Sequence, residues 1–197
     1  MSDAGIGRLL ISSLHQGIGD LAPTRLEFYE NWLSPSGMRD GRMGLAPLGA
    51  VLSFLHREGS PLNDQIARRA GQCAADWTFA ELTGLRRWVI RRLPASLRAR
   101  AAISIARRLV RATIRRSKVT SHFRGGAGTV EIRSAAFEQL RDPASIPMRV
   151  FYAAALHQLL ALCDLDAEVG DEGQGAAGCH LSVRLVSGER VEVAGPA

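Results

Sequence analysis

The sequence predicts an α+β protein: a helical N-terminal half, then a small antiparallel sheet packed against helices. Three observations carry this. Up to about residue 116 the apolar side chains recur at helical spacing. After Lys118 the period drops to two. Residues 129–183 then give a strand, a long helix and two further strands, the unit of a compact α+β layer. Residues 1–84 read as the helical region and 85–197 as the α+β domain, together one compact unit.

Taken in order, Ile6, Leu9, Leu10 and Leu14 predict a first helix over residues 4–19, ended by Gly17 and Gly19. Thr24 with Glu27 three residues on is a capping-box pattern. It opens a helix loaded with Leu26, Phe28, Tyr29, Trp32 and Leu33, for core packing or for a ligand. Residues 34–44, SPSGMRDGRMG, read as a loop. A helix follows over about 46–57. Ser60-Pro61 starts another, running to about Leu82 and carrying Cys73 and Trp77. Gly84 breaks it, and two pieces hinged at Pro94 follow, 85–93 and 94–116. On the second piece Ala102, Ile105, Ala106, Leu109, Val110 and Thr113 share one face. Arg100, Arg107, Arg108, Arg111 and Arg115 share the other, with Arg98 and Arg116 at the border.

Val119, Ser121 and Phe123 then alternate with polar neighbours, and GGAG at 125–128 makes a hairpin loop to a strand over 129–133. Met148, Phe151, Tyr152, Ala155, Leu156, Leu159, Leu160 and Cys163 lay an apolar face along the long helix. Alternating runs around Glu168–Val169 and over 181–186 follow, and Ser187-Gly188 leads to a last strand over 190–193.

One domain suits 197 residues, and a chain of this length buries roughly 70% of its unfolded surface. With 46% hydrophobic and 22% charged residues the composition is that of a globular protein. No basic-then-apolar leader opens the chain, and no run of about 18 apolar residues occurs. Cys73, Cys163 and Cys179 are odd in number and far apart, as expected of reduced thiols in a cytoplasmic protein. The net charge is +6, Lys118 is the only lysine, and no acidic residue lies between Glu81 and Glu131. The Arg face of the helix over 94–116 reads as a solvated face, an anionic membrane contact or a nucleic-acid contact. The last lacks interleaved aromatics, so no nucleic-acid partner is expected.

Signatures of catalysis are missing: no G-x-S-x-G, Walker A, H-E-x-x-H or C-x-x-C. Gly17-Ile18-Gly19 has no third glycine and no preceding strand. His15, His56, His122, His157 and His180 are dispersed. The candidate metal set is Glu168, Asp171 and Cys179. A single thiolate makes a poor structural zinc site, so neither metal nor cofactor is expected.

Gly128, Val130, Ile132, Phe137, Phe151, Tyr152, Ala153, Gly175, Cys179 and Leu181 form a pattern. It resembles the 4-vinyl-reductase domain family, whose fold is shared with the TRAPP vesicle-tethering subunits. Asp171 replaces the first cysteine of the family's terminal pair, and Arg149 lies where a further cysteine is expected. The resemblance implies an apolar cavity between sheet and helices, with Trp77, Trp88, Phe137, Phe151 and Tyr152 as candidate lining. The expected function is a non-catalytic binding module for a small hydrophobic or aromatic molecule, a tetrapyrrole or a lipid. The alternatives are a reductase or accessory acting on the vinyl group of a chlorophyll precursor, and a tethering subunit. A homodimer is expected through the aromatic face of Phe28, Tyr29 and Trp32.

Overall fold

A computed structural model describes residues 5–27, 48–53, 60–134, 137, 145–172 and 178–186. The chain adopts the α+β class. Helix α1 spans Arg8–Leu21, α2 Ser60–Ala80, α3 Gly84–Arg92, α4 Ala95–Thr113 and α5 Ser145–Leu162. Strands are β1 Lys118–Arg124, β2 Ala127–Arg133, β3 Ala167–Asp171 and β4 Gly178–Leu185. Residues 23–27 and 48–53 are also helical. The aromatic face of Phe28, Tyr29 and Trp32, the loop over 34–44, His56, Gly175 and the strand expected over 190–193 lie outside the described residues.

The four strands form one antiparallel sheet in the order β1-β2-β4-β3. The first hairpin closes on Gly125 and Gly126 at φ of 61° and 83°, the left-handed pair a two-residue turn requires. Ala127 and Gly128, expected in the loop, belong to β2. Register places Val130 opposite Leu181 and Ile132 opposite Cys179. All four are buried, so alternate residues of β2 and β4 make the inner face. On the outer face Glu131 accepts from Thr120 and Arg133, and His180 Nε2 lies 3.2 Å from its carboxylate. Hydrogen bonding to Arg133 is the main reason its carboxyl sits below the ordinary value.

Helix α5 covers the inner face. It is apolar on more than one side because it also packs against α2. Its buried set includes Phe151, Tyr152, Ala155, Leu156, Leu159 and Leu160. Helix α2 lies between α5 and α1. Gly17 and Gly71 allow both approaches. A Cβ on Gly17 would stand 2.9 Å from the Ile66 carbonyl oxygen, and one on Gly71 would clash with that of Phe151. This corrects the expected end of α1. The helix runs on to Leu21 because Gly17 serves helix packing rather than termination. The segment leading into α1 is tied down by the Ile6–Ile114 bridge and by Gly7 N–H donating to Thr113 O at 2.8 Å.

Helix α5 ends with Asp164 left-handed at φ 56°. The Leu165 N–H donates back to Leu160 O at 3.0 Å, closing a Schellman cap. The Arg98 guanidinium of α4 donates to Asp164 O at 2.8 Å and Cys163 O at 3.3 Å. It complements the negative end of the α5 dipole and joins two helices.

Candidate functional site

The expected lining residues separate into two groups. Phe137, Phe151 and Tyr152 come together in the core. The Phe151 and Tyr152 rings meet edge to face at 5.1 Å between centroids, and Phe137 lies 6.0 Å from Tyr152. The Tyr152 hydroxyl shares a 2.8 Å hydrogen bond with Thr113 Oγ1, which also donates to Val110 O at 2.9 Å. Burial above all pushes the phenol's pKa up, so this hydroxyl stays protonated. Trp77 and Trp88 are not part of that cluster; they are 38% and 57% exposed.

The space between α4, α5 and the sheet is filled. Leu109, Val110, Val130, Ile132, Tyr152 and Leu181 leave about 10 Å³ there, at most the room of a single water. Tyr152 borders this space and Phe137 and Phe151 do not; the apolar cavity implied by the resemblance is not found at this point.

An open cleft of about 670 Å³ lies at the far end of the sheet. Four stretches far apart in sequence build it: the first two turns of α4, the β1–β2 hairpin, the α5–β3 connection and the end of β4. Phe123, Leu165, Leu185 and Val186 give it an apolar lining, and Arg100 and Arg124 are its exposed cations. Ala95 and Ser96 bring the positive end of the α4 dipole, and no side chain caps that helix. Asp164 and Asp166 also line it, with Asp164 3.7 Å from Arg91 Nε. Arg98 forms one wall while bonded to the end of α5. No periodicity in the sequence joins these residues. The one signal bearing on them is the acid-free, arginine-rich stretch between Glu81 and Glu131.

The metal candidates do not assemble. Glu168 is exposed on the edge strand β3, and Asp171 pairs with Arg149 at 3.7 Å. Cys179 is fully buried, and desolvation, aided by Asp171, pushes its thiol up to about 12. Burial likewise raises Cys163 to about 11 and is the leading cause of the upward shift at Cys73. Among the described residues no three His, Cys, Asp or Glu side chains form a metal-holding group. His122 and His157 are exposed, His15 is half-exposed, and His180 lies 3.2 Å from Glu131 on the outer sheet face. Helix α4 carries no His, Cys, Met or Tyr. No described helix is long and apolar enough to cross a membrane.

No family model and no curated protein matches the chain. Solved structures do. A mutant H-NOX protein from K. algicida in the Fe(II) unliganded state superposes with a TM-score of 0.62 at 10% identity, covering 93% of this chain and 98% of that one. An H-NOX protein from S. oneidensis in the Fe(II)NO state gives 0.57 at 11% identity, covering 92% and 100%. An H-NOX domain from Shewanella oneidensis in the Fe(II)CO state gives 0.55 at 13%, covering 92% and 98%. These likenesses correct the resemblance to the 4-vinyl-reductase and TRAPP families: the residues that suggested it are the buried positions of a sheet-and-helix layer, which different families share. At such identities the comparison shows the fold, and the fold this chain shares is that of the H-NOX structures.

Proposed function

We propose that this chain is a non-catalytic binding module for a small molecule with an apolar body and an anionic end. The cleft carries the reading. Its volume of about 670 Å³ is that of a small-molecule site, mostly apolar with a few convergent polar groups. Phe123, Leu165, Leu185 and Val186 would hold the body, while Arg100, Arg124 and the N–H groups opening α4 would face the anion. A lipid acid and a carboxylate-bearing tetrapyrrole share this chemistry. The likeness to proteins solved with bound iron and diatomic gases supports the broad class of small-ligand module. The described residues do not fit an iron-bearing group: the interior beside α4 is filled, and no described imidazole is buried. The ligand of this reading is organic and is held without metal. The reductase and tethering readings depended on the resemblance now corrected.

Titration with 1-anilinonaphthalene-8-sulfonate, an apolar aromatic anion, tests the reading. One saturable site is expected. Arg124→Glu should weaken it about tenfold and Ala95→Trp, which fills the cleft, should abolish it, with Tm unchanged in both. Absence of a saturable site, or indifference to both substitutions, refutes the reading.

A further inference from the structure

Helix α3 has the sequence GLRRWVIRR and no buried residue. The Thr83 hydroxyl caps it, accepting from the Arg86 N–H at 3.4 Å. Ile90, partly buried against the core, anchors it. At about 100° per residue Trp88, Arg92, Leu85 and Val89 fall in one arc on the side away from Ile90. Leu85 is 73% exposed and Val89 42%, alongside the exposed Trp88. An apolar face this open on so short a helix has no partner among the described residues, and such faces mark interaction sites.

The surroundings select the partner. Four of the nine α3 residues are arginine and none is acidic. Arg92 lies over the Trp88 ring at 5.2 Å. Beside α3 runs a groove of about 600 Å³ against α4, lined by Arg86, Ile90, Arg107, Arg108 and Arg111. Arg108 is engaged by Glu81 at 2.8 Å and Arg107 donates to Ser121 at 2.6 Å. Arg86 and Arg111 complete a cationic rim. A second copy of the chain would press these arginines against their own counterparts, which like-charge repulsion disfavours. Nucleic acid would match the arginines but leave Leu85 and Val89 against phosphate. A surface that is anionic outside and apolar just beneath matches both features.

We infer that the α3 face docks on an anionic phospholipid bilayer. Leu85, Trp88 and Val89 enter the boundary between headgroups and acyl chains. Arg86, Arg87 and Arg92 lie along the headgroups. Arginine stems reach outward from such a depth while their charged ends stay at phosphate level.

Co-sedimentation of the full chain with vesicles tests this. Binding is expected to vesicles containing about one-third phosphatidylserine, at least tenfold weaker to pure phosphatidylcholine, and lost in about 0.5 M salt. Leu85→Ala with Trp88→Ala should lower the affinity at least tenfold without moving Tm, since both side chains are exposed. Arg86→Gln, Arg87→Gln and Arg92→Gln should each weaken it, by roughly fivefold per charge. Emission from Trp88, isolated as the difference from Trp88→Phe, should shift to the blue on binding. No binding to anionic vesicles, equal binding to neutral ones, or a Leu85→Ala/Trp88→Ala double variant that binds unchanged overturns the inference. So does a dimer that this double variant converts to monomer, which would assign the face to a second copy.

Discussion

Gly71 lies where the α2 backbone meets the Phe151 carbonyl of α5, leaving no room for a Cβ. Gly71→Ala is therefore expected to cost about 2 kcal/mol or more, because both partners are backbone in a packed core. Gly84→Ala is the control: nothing lies within 4 Å of its Cβ position, and stability should stay within about 0.5 kcal/mol. Thermal unfolding of the pair checks this. The buried thiols give a second residue-scale prediction. Burial raises Cys179 to about 12 and Cys163 to about 11 from an ordinary value of 9.0. A raised acid stabilises the fold while it stays protonated in both states. Above pH 9 the unfolded chain loses the proton first, so this stability drains away between about pH 9 and pH 12. Urea midpoints should fall across that window, and Cys179→Ala should flatten the fall. An alkaline slope unchanged in Cys179→Ala contradicts the assignment.

At the scale of elements, α4 was the most legible part of the chain. Its apolar and arginine faces follow from spacing alone, and Ala102, Ile105, Ala106, Leu109, Val110 and Thr113 are all buried. Leu109 is 1% exposed, so Leu109→Asp loses its burial and buries a charge, an expected loss above about 4 kcal/mol. Arg108→Glu breaks only an exposed pair with Glu81 and should stay within about 1 kcal/mol. Equal losses in urea unfolding would contradict the division of faces. The sheet was legible for the same reason, a period of two on either side of Gly125-Gly126. Helix α3 was less so. Trp88 is expected to line an apolar cavity, and spacing does not reveal that Ile90 is the α3 side chain packed against the core while Leu85, Trp88 and Val89 stay exposed. Gly17 misled in a related way: glycine suits both a helix end and a helix contact, and only the position of α2 separates the two.

At the scale of the whole molecule, the described residues set a filled space between α4, α5 and the sheet apart from an open cleft. The α+β class was legible in the sequence, while the family resemblance was not a safe guide. Val130, Ile132, Phe151, Tyr152 and Cys179 report a strand-and-helix layer, and burial rather than chemistry dictates their types. The cleft was not legible because Ala95, Phe123, Arg124, Leu165 and Val186 meet only after the chain folds. The central claim is that this cleft holds an organic ligand without iron. Native mass spectrometry of the chain isolated under non-denaturing conditions from the cells that make it tests that claim most directly. The account predicts a metal-free adduct of a few hundred daltons on the 21.3 kDa chain, lost in Ala95→Trp. The bare chain mass, or an adduct carrying one iron per chain, would contradict it.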